Sequence, residues 1–358
     1  MRIHCTLSFG LLTCLLGACL ALPGEQFALA DDEAPPLVAP GVAQVLPLGL
    51  GECFESKERE YSGLAWFGDY LFLLPQWNRR PDSGLSLPCV RRDAVRAAID
   101  HHAAGLDLPL FSVPMEFDGR FDFAGYDGFE ALCFRGNTAY LTIELEDRDE
   151  LKALLVRGEV EVDGEGRPIL LRVDLRRRVE LRQGLRRDNM GYEALLPDEA
   201  GVLAFFELNS CRRDPPNPHP QVLRVHPELS ARDPLPMFAL DYRLTDCTDL
   251  DEEQRFWAIN YLFPYDEDMV VDGDELMEFK GLAPESGLRA NHVERLVEFA
   301  LTEEGVAPTC SAPISLPLGA EAHNWEGIAR MDEGFLLVTD EFPGSVLAYV
   351  SLPGASER

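Results

Sequence analysis

Short apolar runs, broken by turn residues, recur along the whole chain and predict strands throughout. The clearest is Asn324–Glu341, where Trp325-Glu-Gly-Ile and Phe335-Leu-Leu-Val flank a Gly-bearing turn and Asp340 closes the second strand. The same hairpin recurs at Gly128-Phe-Glu-Ala-Leu, ending at Glu144, and at Gly191-Tyr-Glu-Ala-Leu, ending at Glu207. Degenerate copies are Tyr61-Ser-Gly-Leu-Ala, ending at Gln76, and Cys247-Thr-Asp-Leu, ending at Asn260.

The anchors are Ser62, Glu130, Glu193, Thr248 and Glu326, spaced by 68, 63, 55 and 78 residues. Each interval has room for four short strands with long loops, which is one propeller blade. The fold expected is all-β, a single β-propeller of residues 42–358 with five blades, six being the alternative. Val42–Leu48 is expected beside Ser345–Leu352, so that strands from both ends close the ring and remove exposed edges. In blade two, Leu151–Val162 and Pro168–Leu181 flank Asp163-Gly-Glu-Gly, a strong hairpin signal. In blade three, Gln221–Val225 and Pro236–Tyr242 are the expected outer strands. Asp93 as N-cap and Gly105 as stop predict a short helix inserted in blade one.

In an antiparallel hairpin the start of one strand lies beside the end of the other. The anchors should therefore form an inner ring, with Gln76, Glu144, Glu207, Asn260 and Asp340 beside it. Six carboxylates (Glu130, Glu193, Glu326, Glu144, Glu207, Asp340) then crowd one channel mouth. Like charges so placed do not all ionise without a cation. A hard cation with oxygen ligands, Ca²⁺ before Mg²⁺, resolves the conflict. Arginines just past the second strands (Arg79, Arg80, Arg148, Arg212, Arg213) would rim the same face and could hold an anion; local pairing with Asp82, Asp147, Asp149 and Asp214 is the simpler role.

Composition narrows the setting. With 32 basic and 62 acidic residues, the net charge of −30 disfavours nucleic acid and anionic membranes and favours cations. Residues 1–30 read as an export signal, with Arg2, an apolar run from Leu7 to Leu22, and Ala28-Leu-Ala30 before an acidic start. Leu16-Gly-Ala-Cys19 also resembles a lipobox, which would lipidate Cys19 and provide the one membrane contact. The location expected is periplasmic, outer-membrane lipoprotein or extracellular, with residues 31–41 a flexible tether. In an exported chain the six remaining cysteines (Cys53, Cys89, Cys133, Cys211, Cys247, Cys310) invite disulfides. The pairs nearest in sequence are Cys53–Cys89 and Cys211–Cys247, while Cys133 reads equally as a buried free thiol. The acidic loop from Asp266 fails as an EF-hand, because Val270 and Phe279 fall where ligands are needed. The chain has no Gly-x-Ser-x-Gly, and His323 reads as a residue packed near Trp325.

Trp325-Glu-Gly-Ile with Leu337-Val-Thr-Asp-Glu, and the copies Phe129-Glu-Ala-Leu and Tyr192-Glu-Ala-Leu, resemble the phytase-like β-propeller family, also described by its esterase-like activity of phytase. The resemblance implies a propeller, calcium in or near the axial channel, an exported location and, in some members, phosphate-ester chemistry. Ser62 and Thr248 depart from the pattern by lacking the carboxylate, which leaves a catalytic set incomplete. The function expected is an exported calcium-binding propeller acting as a non-catalytic binding or structural module for a protein or glycan. The alternative is a Ca²⁺-dependent phosphoesterase that takes a phosphorylated small molecule at the acidic mouth.

Overall fold

The computed structural model describes residues 41–352 except 52–59, 77–83, 102–106, 148–149, 183–189, 213–216, 218, 231, 263–268, 270–272, 283–292, 317–321 and 341–343. The leader, the tether through residue 40, Cys53, Arg79, Arg80, Arg148, Arg213 and most of the acidic loop from Asp266 lie outside the described residues.

The chain starts with β1 (Gly41–Val42) and β2 (Gln44–Leu48). The first meander is β3 (Tyr61–Phe67), β4 (Tyr70–Pro75), β5 (Leu85–Arg91), helix α1 (Arg92–Asp100) and β6 (Phe111–Asp118). The second is β7 (Tyr126–Arg135), β8 (Thr138–Asp147), β9 (Glu150–Val162) and β10 (Pro168–Leu181). The third is β11 (Tyr192–Pro197), β12 (Val202–Phe206), β13 (Gln221–Val225) and β14 (Arg232–Pro236). The fourth holds β15 (Arg243–Cys247), β16 (Arg255–Leu262), helix α2 (Glu275–Phe279), β17 (Val293–Leu301), β18 (Val306–Pro308) and β19 (Ile314–Ser315). The last is β20 (Trp325–Met331), β21 (Gly334–Thr339) and β22 (Leu347–Ser351).

The fold is an all-β propeller. Innermost strand β3 packs on β7, β7 on β11, β11 on β15, β15 on β20, and β20 back on β3. Second strands such as β12 and β21 are buried along their whole length, because each blade is covered on both faces by its neighbours. That is why Val202-Leu-Ala-Phe-Phe and Phe335-Leu-Leu-Val are continuously apolar rather than alternating. Separate hydrophobic clusters fill the interfaces between neighbouring meanders. Phe72, Phe129, Leu141 and Val173 join the first and second. Trp257, Ile259, Trp325 and Leu337 join the fourth and last.

The ring is closed by β2, which pairs antiparallel with β22, Gln44 opposite Ser351 and Leu48 opposite Leu347. Val42, expected in the same strand, instead lies in β1, which pairs in parallel with β19. The two stretches therefore tie the fourth and last meanders together. A parallel pairing of β6 with β10 likewise joins the outer edges of the first two meanders into one eight-stranded sheet.

Three expectations need correction. Helix α1 begins at Arg92 with Arg91 as its N-cap, so Asp93 sits in the first turn and is held by Arg91 (Nε to Oδ1, 3.1 Å). The helix ends at Asp100, before Gly105. The outer strand of the third meander is β14, not Pro236–Tyr242, since two prolines near Met237 favour edge positions where no N–H is needed. Cys89, Cys133, Cys211 and Cys247 are all free thiols among the described residues, so Cys211–Cys247 is not bridged, and the Cys53–Cys89 pairing involves a cysteine outside the described residues. Cys133 and Cys247 are buried small apolar groups, and Cys211 is exposed.

Candidate functional site

One end of the axis opens into a polar cavity of about 240 Å³. Ser62, Glu130, Glu193 and Glu326 line it from the innermost strands, and Gln76, Glu144, Glu207 and Asp340 from the ends of the second strands. Arg243, Tyr261 and Asn324 complete its wall.

A repeated local device aims the inner side chains. The ladder between first and second strand slips by one residue at Tyr61/Gly63, Phe129/Ala131, Tyr192/Ala194 and Trp325/Gly327. The extra residue of each bulge is Ser62, Glu130, Glu193 or Glu326. A bulge re-aims the side chain it carries, here toward the axis. The small residue that follows lets the inner strands approach. A Cβ on Gly327 would lie 2.9 Å from the backbone of Gly63 and of Leu64.

The fourth meander breaks the expected pattern. Leu244 lies opposite Asn260, just as Gly128 lies opposite Glu144. Two residues on from Gly128 is Glu130, so two residues on from Leu244 is Asp246. Thr248, expected in the ring, lies two residues further and does not line the cavity. Its hydroxyl accepts from Trp257 N (3.1 Å) and donates to Asp249 O (3.1 Å), which fixes a turn. Asp246 points away from the cavity, under its floor. Its carboxylate accepts from Ile328 N (2.8 Å) and Cys247 N (2.8 Å), with Leu64 N at 3.5 Å. It thus joins three inner strands, and burial pushes its carboxyl well above the usual range against the pull of those N–H groups. Asn260 also turns from the cavity. It donates to the carbonyls of Asp241 (2.9 Å) and Arg243 (3.0 Å) and accepts from Arg295 Nε (2.8 Å).

The carboxylates differ in their partners. Glu207 receives Arg243 Nη1 on both oxygens, at 3.0 and 2.9 Å, and the pair is buried. Glu326 accepts from the Tyr261 hydroxyl (3.3 Å), and Asp340 from Asn324 Nδ2 (2.9 Å). Glu130 accepts from Gln76 Nε2 (3.0 Å). Glu144 is 4 % exposed, and its Oε1 has no hydrogen-bond partner among the described residues.

Glu130, Glu144 and Glu193 each offer an oxygen, and these three atoms lie within 4.8 Å of one another. Oxygens that share a Ca²⁺ at about 2.4 Å lie at most about 4.8 Å apart, so the set matches the spacing a hard cation requires. Burial pushes Glu130 up to about 8, with Asp127 and Glu207 adding to the rise and Gln76 opposing it. Burial pushes Glu144 up to about 9, with Glu130 and Glu207 adding. Glu193 and Glu326 are raised well above the usual range, first by burial and then by neighbouring carboxylates. Such shifts mark a site where negative charge lacks compensation.

Of the rim arginines, Arg212 is the one among the described residues, and it does not reach the cavity. Glu278 takes it at 3.0 and 2.6 Å, with Glu275 at 3.4 Å. The cavity's arginine is Arg243, which sequence reasoning missed. His323 is buried and stacked on Trp325, at 5.4 Å between ring centroids.

No protein-family model matches the chain, and no curated protein matches it in sequence. Solved structures of similar shape include a glycosyl hydrolase from Bacteroides ovatus (7 % identity, TM-score 0.43, covering 89 % of this chain and 92 % of that one). Another is the β-1,2-mannobiose phosphorylase of Listeria innocua (11 %, TM-score 0.43, 86 % and 90 %). A third is the α-L-arabinanase of Cellvibrio cellulosa (10 %, TM-score 0.40, 82 % and 91 %). These are likenesses of shape alone, and the assignment of this chain as a β-propeller stands on its closed ring of inner strands.

Proposed function

We propose that this chain is a cation-binding β-propeller in which one Ca²⁺ sits among Glu130, Glu144 and Glu193. Counted by one innermost strand per blade, it has five blades, and the ion joins the second to the third. The observation that carries the reading is Glu144: a buried carboxylate with an unpartnered oxygen, set within cation-sharing distance of two others. A buried charge without a partner costs several kcal/mol, and a divalent ion offsets that cost directly. Glu207 is compensated by Arg243, and Glu326 and Asp340 each accept a side-chain hydrogen bond, whereas the unpartnered oxygen belongs to Glu144, between the second and third blades. In this reading the protein is an exported, phytase-like propeller that uses calcium structurally and binds a protein or glycan through its loop-rich face.

The test is a chelator melt. Chelator lowers the melting temperature and added Ca²⁺ restores it, because a ligand of the folded state alone stabilises by mass action. A melt indifferent to both removes the cation. The second reading, a Ca²⁺-dependent phosphoesterase, draws on Arg243 beside the carboxylates, since phosphoryl transfer needs fixed positive charge near the metal. Calcium-loaded protein that leaves both phytate and an aryl phosphate intact rejects it. N-terminal sequencing of the mature protein tests export and distinguishes cleavage after Ala30 from processing at Cys19.

A further inference from the structure

The two inner glutamates among the carboxylates that come together share a feature the other inner positions lack: glycine two residues before. Gly128 precedes Glu130 and Gly191 precedes Glu193, whereas Glu60, Leu244 and Asn324 hold the matching places in the other inner strands. Neither glycine has a positive φ, so backbone conformation does not require it. What requires it is space. A Cβ on Gly191 would stand 2.9 Å from Glu193 Oε1 and 3.3 Å from both Cδ and Oε1 of Glu144. A Cβ on Gly128 would stand 2.5 Å from Gln76 Cγ and 2.9 Å from Glu130 Oε1. Carbon–carbon contacts settle at about 3.5–4.0 Å, so each methyl would displace side chains of the cavity.

We propose that Gly191 and Gly128 are positioning residues that set the size of the cation site. The proposal rests on the cation reading above. Without a Cβ at 191, Glu193 folds back over its own strand and Glu144 of the preceding blade reaches in beside it. Gly191 thereby fixes the separation of two of the three ligands from both sides. Gly128 does the same for the third, admitting Gln76 so that its amide holds Glu130 (3.0 Å). A methyl at 191 pushes Glu144 and Glu193 apart and widens the cage. The widened cage disfavours small ions more than large ones.

The experiment uses Tb³⁺ luminescence on the full chain, with competition by Ca²⁺, by La³⁺ (large) and by Lu³⁺ (small). Gly191→Ala is compared with wild type and with Gly84→Ala, where an added Cβ meets nothing within 4 Å. The expected result is that Gly191→Ala binds Tb³⁺ about tenfold or more weakly, the usual effect of disturbing what orients a ligand. Its preference for La³⁺ over Lu³⁺ rises, and Gly84→Ala matches wild type. A purely structural role lowers the melting temperature without changing the size preference. Gly128→Ala is the second variant, acting on Glu130 through Gln76. Wild-type affinity and size preference in both variants overturn the proposal and leave the cation reading standing. Wild-type protein that binds no lanthanide overturns both. Loss of cooperative melting in both variants also overturns the proposal, because the glycines would then be requirements of the fold.

Discussion

Glu144→Gln keeps the shape of the side chain and removes its charge, so it isolates the electrostatic cost of the site. Without a cation, a carboxyl whose folded value lies above its unfolded one adds stability at low pH and loses it as pH rises. Glu144 is pushed from 4.5 up to about 9, so its penalty grows across that window. From 4.5 to pH 7 is about 2.5 pH units at about 1.4 kcal/mol each, or about 3.5 kcal/mol; at pH 5 it is below about 1 kcal/mol. Glutamine escapes this penalty. In chelator at pH 7 the variant should therefore melt higher than wild type, by on the order of 5 °C, and at pH 5 by little. Calcium should act in the opposite sense. At a hundredfold excess over its dissociation constant it adds about 2.7 kcal/mol to wild type and much less to the variant, which has lost a ligand. Differential scanning fluorimetry at the two pH values, with and without Ca²⁺, reads all of this. A variant that melts below wild type in chelator at pH 7, or a gain that does not grow from pH 5 to pH 7, refutes the reasoning.

Arg243→Gln leaves Glu207 buried without its charged partner, which should cost about 3–5 kcal/mol in urea denaturation, and adding Glu207→Gln should recover most of it. A single-variant loss below about 1 kcal/mol would show that the pair does not carry that role. Arg212→Ala should leave cation affinity unchanged and cost under about 1 kcal/mol, since its pair with Glu278 is partly exposed and lies away from the cavity; weakened binding would return Arg212 to the site. Among the described cysteines, Cys211 and Cys310 are exposed and should react with a thiol reagent in the folded protein, while Cys89, Cys133 and Cys247 should react only on unfolding; bridged cysteines would instead stay silent until reduced.

The propeller was legible because its signal is repeated. Glu-small-apolar with an acid at the end of the next strand recurs clearly at Glu130, Glu193 and Glu326, and the cavity gathers those residues. The fourth blade was not legible, for a physical reason. Asp246 replaces a glutamate, is one methylene shorter, and bonds to backbone N–H groups below the cavity rather than facing into it. No aromatic or glycine marks its place, so Thr248 two residues on took its position in the pattern. Arg243 was missed for a related reason. An arginine at the start of a strand reads as solvated, and only the register of Leu244 against Asn260 brings it to the cavity beside Glu207. Pairings between distant stretches, such as β6 with β10 and β1 with β19, have no local signal at all.

The most direct measurement is anomalous diffraction from crystals of the full chain grown with Tb³⁺ in place of Ca²⁺. The expected result is a peak in the cavity, bound by oxygens of Glu130, Glu144 and Glu193 and lying off the axis toward the second and third blades. A cavity without a peak, or an ion held instead by Glu326 and Asp340 on the opposite side, would contradict it.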